Sequence, residues 1–257
     1  MHRKILLAGA LALFTSGAFA QDGAWTLGTG LYYSSGDYGT SATTTILSVP
    51  FSARYDTGPW SLRASVPYLE VSGPSAVIPG VGAVRSSNPR RRGGGSTPAS
   101  EGTASGLGDT TLSATYAAYP GIDLTGKVKI ATADPDQGLG TGEHDAAALI
   151  DVYRTFDRVT LFAGVGYHML GSSPHIPLDN VWSGTFGGSY RIDQRDSAGL
   201  SFDARQRVSP SASPQRELTA FWERKLDRAW KAQVYILKGF ADGSPDFGAG
   251  LSVAYTL

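Results

Sequence analysis

Residues 159–169 read VTLFAGVGYHM, and their character alternates from one position to the next. The odd positions carry Val, Leu, Ala, Val, Tyr and Met, whereas the even positions are mostly Thr, Gly and His. Successive side chains of a β-strand point to opposite faces, so this alternation predicts a strand with one apolar and one polar face. The same period of two recurs in residues 200–205 and 251–257, and no comparable stripe with the period of a helix appears.

The alternation and the turn residues together predict about twelve strands in this chain of 257 residues. Most of them exceed the roughly 5–6 residues usual in soluble sheets and match the roughly 9–11 that cross a membrane at a tilt. An even number of such strands predicts an all-β fold, a membrane-spanning up-and-down antiparallel β-barrel. The predicted strands are 24–35, 43–56, 59–71, 106–119, 122–132, 144–156, 158–171, 178–193, 196–208, 214–227, 229–241 and 245–257.

The connections between the predicted strands alternate between tight and long. Tight turns fall at 56–59, 119–121, 156–158, 193–195 and 226–228, and the longer connections fall at 36–42, 72–105, 133–143 and 172–177. Short turns at one end and longer loops at the other are typical of an outer-membrane barrel, whose long loops lie outside the cell. We therefore predict that 72–105 is a long, flexible extracellular loop.

The first twenty residues resemble a secretory signal peptide. A short basic start is followed by an apolar run, and residues 18–20 read AFA, which is a cleavage signal. We predict that 1–20 is removed, that 21–257 forms the barrel, and that the protein lies in the outer membrane of a Gram-negative bacterium. The closing LSVAYTL of residues 251–257 resembles the C-terminal signal read by the barrel-assembly machinery, which we predict as a partner together with outer-membrane lipids.

Composition excludes several other classes of protein. The chain has no cysteine, which excludes a disulfide scaffold and a cysteine-ligated zinc site. Lys and Arg number 22 against 22 Asp and Glu, a balance that gives no reason to expect nucleic acid as a partner. No cofactor or metal is predicted.

Several charged residues fall on the parity opposite to the apolar residues of their strands. Charge on the lipid face of a barrel costs roughly 2–4 kcal/mol for Arg or Lys at the midplane, so these side chains are predicted to face the lumen. There they would either set the ion preference of a channel or pair with one another and plug it. The predicted lumen residues are Arg63, Lys127, Lys129, Asp203, Arg205, Glu223 and Lys231.

Five stretches resemble a known family of outer-membrane barrels. They are GLGD at 106–109, GKVKIAT at 126–132, GLGTGEHD at 138–145, FAGVGY at 162–167 and YILKGFADGSPDFGAGL at 235–251. The family is named after the meta-cleavage pathway of phenol degradation, and its members are often described as transporters. The resemblance covers about 106–257; the first three strands and the 72–105 loop match poorly. It implies a barrel that passes small solutes, including aromatic ones, and it implies no catalytic residues.

These observations predict a passive channel or transporter for small solutes, with hydrophobic or aromatic molecules among the candidates. One alternative is a non-conducting structural or adhesive barrel that acts through the 72–105 loop. Another is a barrel hydrolase, for which His168 with Ser172 or Ser173 is the nearest approach to a nucleophile and its base. We favour the channel and predict no catalysis.

Two loop motifs have a structural and a functional interpretation. The basic run Arg90, Arg91 and Arg92 lies in a glycine-rich segment and is either a solvated loop or a contact with lipopolysaccharide phosphates, for which Arg is well suited. The acidic, glycine-rich stretch 134–143 could hold calcium through carboxylate oxygens, but a turn-rich loop explains it as well.

Overall fold

The computed structural model describes residues 23–87 and 102–257, in which all regular structure is β-strand. The predicted signal peptide and the Arg90–Arg92 run lie outside the described residues and stay predictions. The strands are β1 Ala24–Gly36, β2 Thr44–Thr57, β3 Trp60–Gly73, β4 Val77–Ile78, β5 Gly82–Ala83, β6 Gly102–Leu107, β7 Thr110–Tyr119, β8 Ile122–Ile130, β9 Asp145–Phe156, β10 Val159–Met169, β11 Val181–Arg191, β12 Asp196–Arg205, β13 Gln215–Lys225, β14 Trp230–Gly239 and β15 Phe247–Thr256.

The sheet closes on itself, because β1 pairs antiparallel with both β2 and β15. Thirteen strands share the sheet, and two of them, β6 and β7, both pair with β3 and form the two halves of one barrel strand. The result is a closed antiparallel barrel of twelve strands, so the predicted fold and strand count are confirmed. The short strands β4 and β5 form a separate hairpin.

A β-bulge separates β6 from β7. Ser65 pairs with Thr111 and Tyr68 with Leu107, so that two residues of β3 face three of the other strand. The extra residue reverses which parity faces the lumen, and Asp109 thereby points inward. Gly108 is needed here because a Cβ at this position would lie 2.7 Å from a side-chain carbon of Pro67.

The outer face of the barrel is apolar and carries aromatic residues near both ends. Leu31, Phe51 and Leu124 are examples of its exposed apolar side chains, at 52%, 53% and 41% exposure. Rings in tilted contact include, at the turn end, the pairs Trp25–Tyr55, Trp60–Tyr116 and Trp230–Tyr255 and, at the loop end, Tyr167–Trp182. Such aromatic girdles around an apolar band are typical of a barrel embedded in a membrane. Within the described ranges, no helix is long and apolar enough to cross a membrane.

Two of the tight turns, at 193–195 and 226–228, are closed by aspartate side chains. Asp193 Oδ1 accepts the backbone N–H groups of Arg195 at 2.6 Å and Asp196 at 2.7 Å, and these two hydrogen bonds fix the conformation of the turn. These N–H bonds, that of Asp196 foremost, lower the pKa of the Asp193 carboxyl. Asp227 accepts the N–H groups of Ala229 and Trp230 in the same way, at 2.8 and 2.7 Å.

The boundaries of the predicted 72–105 loop need correction. Gly73 pairs with Gly102 and Ser72 with Thr103, so β3 and β6 extend into both ends of the predicted loop. The residues of β6, GTASGL, are mostly small and do not alternate between apolar and polar. The predicted strand therefore begins at 106, four residues too late. Of the remaining connection, 74–101, the structure describes 74–87, which includes the β4–β5 hairpin.

Candidate functional site: the lumen and its mouth

All seven charged residues predicted for the lumen lie on the inner face of the barrel. Their parity is opposite to that of exposed apolar neighbours such as Leu62, Leu124 and Leu200. They occupy different heights: Glu223 and Lys231 lie near the turn end, and Lys129 and Arg205 lie at the loop end, called here the mouth. Their surroundings differ as well, and this separates residues that can act on a solute from residues that hold the structure together.

Lys129 is neutralised by two carboxylates. Its Nζ lies 2.8 Å from Asp145 Oδ2 and 3.2 Å from Asp109 Oδ2, and it donates to the hydroxyl of Thr141 at 3.2 Å. Asp109 reaches this cluster because of the bulge, and it also accepts the N–H group of Ala133 at 3.1 Å. Lys129 therefore anchors the loop between β8 and β9 to the wall, an arrangement that the sequence did not indicate.

The acidic loop 134–143 is organised by its own side chains. Asp134 Oδ1 accepts the N–H groups of Asp136 at 2.9 Å and Gln137 at 3.2 Å, and Leu139 is buried at 3% exposure. Among the described residues, no group of three or more His, Asp or Glu side chains is placed to hold a metal ion. This geometry is that of a folded loop.

Lys127 has a different environment from Lys129. It lies two residues away on the same face of β8, yet its side chain is exposed, and no ion pair joins it to any described residue. The charges that act on it are those of Arg63, Asp145, Arg205 and Lys129. A water-accessible side chain that points into a barrel requires room for water beside it, so the lumen is not fully packed at the height of Lys127.

Inward-facing aromatic rings lie flat against glycines of the neighbouring strands. Tyr32 and Tyr235 both pair in register with Gly250, and both rings lie where a Cβ of Gly250 would be. Phe162 covers Gly187 and Phe221 covers Gly199 in the same way. Rings that lie along the wall occupy less of the cross-section than rings that project across it, so these pairs help to keep the lumen open.

The β4–β5 hairpin crosses the mouth of the barrel. It emerges from β3, and its tip is held by Arg205 at the end of β12, which lies six strands from β3 in either direction around the barrel. Arg205 Nη1 donates to the carbonyl of Gly80 and Nη2 to that of Val81, both at 2.8 Å. The hairpin therefore spans the opening from one wall to the opposite wall.

A hydrophobic cluster fixes the hairpin in this position. Ile78 and Val84 of the hairpin segment pack with residues from the far side of the mouth, and both are almost completely buried, at 1% and 3% exposure. A hydrogen bond from the Ser87 N–H to the His175 carbonyl, 2.9 Å long, closes the same contact. The other buried members of the cluster are Ile176, Leu178, Val181 and Val208.

The connection between β1 and β2 also folds inward at the mouth. Tyr38 is 6% exposed and its hydroxyl lies 3.2 Å from Ser34 Oγ. Burial raises the pKa of the Tyr38 phenol to about 12, so this ring stays neutral at physiological pH. Together with the hairpin, Tyr38 makes the mouth narrower than the barrel below it.

Two carboxylates oppose each other in the lower half of the lumen. Asp123 on β8 and Asp151 on β9 are direct partners in the antiparallel register, with 1% and 5% exposure. Asp151 lies over Gly164, and its Oδ2 has no hydrogen-bond partner among the described residues. The alternation of β9 could have revealed Asp151, because it shares the parity of Asp145.

Replacing Asp151 by Asn is expected to stabilise the barrel. Like charges placed directly opposite each other in an antiparallel pair are destabilising, and the substitution removes one of them at nearly constant volume. We expect the free energy of unfolding at pH 7 to rise by roughly 1 kcal/mol, measured by urea unfolding in detergent. Asp193→Asn is the matched control: the same charge is removed from a turn that uses it, and stability should fall. A decrease in both variants would contradict the prediction.

His168 does contact a serine, but not the one that was predicted. Its Nε2 lies 2.8 Å from Ser183 Oγ, whereas the hydroxyls of Ser172 and Ser173 accept backbone N–H groups within their own loop. Among the described residues, no carboxylate is hydrogen-bonded to this histidine, and that of Asp145 is engaged by Lys129 and by the Gly171 N–H at 2.8 Å. The pair therefore lacks the third member that activates a serine nucleophile.

Comparison with known proteins supports the fold. No family model and no curated protein matches the chain. Among solved structures, an outer-membrane channel from Pseudomonas putida F1 is similar with a TM-score of 0.66 and 14% identity, over 95% of this chain and 100% of that one. The translocator domain of the autotransporter NalP from Neisseria meningitidis has a TM-score of 0.56 at 11% identity, over 92% and 88%. At such low identity these likenesses establish the barrel fold, and function must be argued from the lumen.

Proposed function

We propose that the protein is a passive channel of the bacterial outer membrane for small solutes. The observation that carries this proposal is the exposed Lys127 on the inner face, because it requires open, polar space inside the barrel. A lumen filled by mutual ion pairs would leave no such side chain. The apolar outer face with its aromatic residues supports the membrane location.

The polar lining favours solutes that travel with water. Arg63, Lys127 and Lys231 on the inner wall supply hydrogen-bond donors, and Asp203 and Glu223 supply acceptors. Aromatic solutes, which the resemblance to the phenol-degradation family implies, would contact Tyr32 and Tyr235 along the wall. We retain that family assignment as part of the proposal, together with contacts to lipopolysaccharide at the mouth and to the barrel-assembly machinery through β15.

Single-channel recording of the refolded chain 21–257 in a planar bilayer tests the proposal. We expect discrete openings of low conductance, because the hairpin and Tyr38 narrow the mouth above an open lumen. Folding is checked separately by the change in gel mobility between heated and unheated samples. A barrel that is folded but electrically silent would contradict the channel and favour the structural or adhesive alternative.

A further inference from the structure

The inner wall carries a cationic depression near the turn end of the lumen, well away from the hairpin. Its floor consists of small residues on β15, β1 and β2, among them Ala254, Gly28 and Ser52, which pair with one another in register. Lys231 lies on one side of this floor, and Arg54 and Arg63 lie on the other.

The two arginines oppose each other directly. Arg54 on β2 and Arg63 on β3 are partners in the antiparallel register, an arrangement of like charges that costs stability unless something compensates it. Arg54 is compensated by Asp56, whose Oδ1 lies 2.8 Å from both its Nε and its Nη2. The described hydrogen bond of Arg63 goes instead to a neutral group, Ser52 Oγ, at 3.3 Å.

Among the described residues, the lining of the depression is positively charged. Three cationic side chains line it and no carboxylate does; Asp56 contacts Arg54 from outside the lining, and Glu223 lies on the adjacent strand β13. The hydroxyls of Thr26 and Thr256, which lie 3.1 Å apart, add neutral donors to the floor. Guanidinium, ammonium and hydroxyl groups arranged around one hollow are the donors that recognise a carboxylate or a phosphate.

We propose that this depression binds a small oxyanion, a carboxylate or inorganic phosphate, as it crosses the lumen. Lys231 lies three strands from Arg54, a spacing of roughly 14 Å, so the long side chains can approach one anion from both sides. Arg63 is the principal ligand, because its described hydrogen bond goes to the neutral hydroxyl of Ser52 and no described carboxylate forms an ion pair with it. The site rests on the proposed channel for its role in transport, but its binding of an anion can be measured without transport.

Recording in potassium chloride with added potassium phosphate or potassium acetate tests the site and separates the two ligand classes. We expect at least one of them to block the current in a saturable way, with a half-blocking concentration at least tenfold higher for Arg63→Gln. Lys231→Gln should weaken the block in the same direction. Lys238→Gln, which removes one positive charge from the outer face at the mouth, is the matched control and should leave the half-blocking concentration unchanged.

A second measurement tests anion binding independently of conduction. Isothermal titration of the folded barrel in detergent with phosphate and with acetate reports binding whether or not the barrel conducts. Saturable binding that Arg63→Gln weakens tenfold in a silent barrel would sustain the site and reject the channel. A conducting barrel that neither anion blocks or binds, or an effect as large in Lys238→Gln as in Arg63→Gln, would overturn the site and leave the channel standing.

Discussion

Removal of the mouth hairpin is expected to raise the single-channel conductance several-fold. Deleting residues 76–85 takes away the segment that crosses the opening and the buried side chains of Ile78 and Val84. The lumen below stays lined by the same wall residues, so the narrowest point of the pathway should widen while the barrel remains closed. Conductance follows the narrowest section, and the change should therefore be among the largest that any variant of this protein shows.

A point variant tests whether the contacts of Arg205 hold the hairpin in its position across the mouth. Arg205→Gln retains a polar side chain but loses the fork that donates to the carbonyls of Gly80 and Val81. The hairpin is then held by the hydrophobic cluster alone, and we expect frequent transitions between the original conductance and a higher one. Arg158→Gln, in a turn at the opposite end of the barrel, removes the same charge without touching the hairpin and serves as the control.

Two results would contradict a limiting role of the hairpin. If the hairpin deletion folds, as judged by heat-dependent gel mobility, and conducts no better than the unaltered chain, then the hairpin does not limit the pathway. Identical gating of Arg205→Gln and Arg158→Gln would likewise show that the two carbonyl contacts do not hold the hairpin in place.

The barrel could be predicted from the sequence because every strand of its wall meets the same requirement. Each strand must present apolar groups to lipid and polar groups to the lumen, so residues such as those of β10 alternate over their whole length. The same alternation placed the lumen charges on the inner face. It failed where that constraint is weak, as in the small residues of β6, and at the bulge that turns Asp109 inward.

The contacts within the lumen could not be predicted in the same way. Parity places Lys127 and Lys129 on one face, but it does not say that Asp109 and Asp145 converge on only one of them. The pairing of His168 with Ser183 depends on the register between β10 and β11, and the docking of Gly80 on Arg205 joins residues 125 positions apart. The contacts of Lys129 and His168 depend on the register between neighbouring strands, and that of Arg205 depends on closure of the barrel; no local pattern encodes either.

Charge reversal at Lys127 is expected to shift the ion preference of the channel strongly, whereas reversal at Lys129 is not. The sequence alone assigned both lysines to selectivity. Lys127 is exposed to the open lumen, so Lys127→Glu changes the fixed charge there by two units and should move the reversal potential in a potassium chloride gradient towards cation preference. Fixed charges that line a pore act directly on passing ions, which is why the expected shift is large.

Lys129→Glu should act on the structure instead. The variant would place a third carboxylate beside Asp109 and Asp145, and their repulsion should loosen the loop between β8 and β9 and lower the stability of the barrel. Paired measurements of reversal potential and urea unfolding therefore distinguish the two residues. Equal shifts of reversal potential in both variants would mean that the ion pairs of Lys129 do not screen it from the lumen, and the distinction between an exposed and a neutralised lysine would fail.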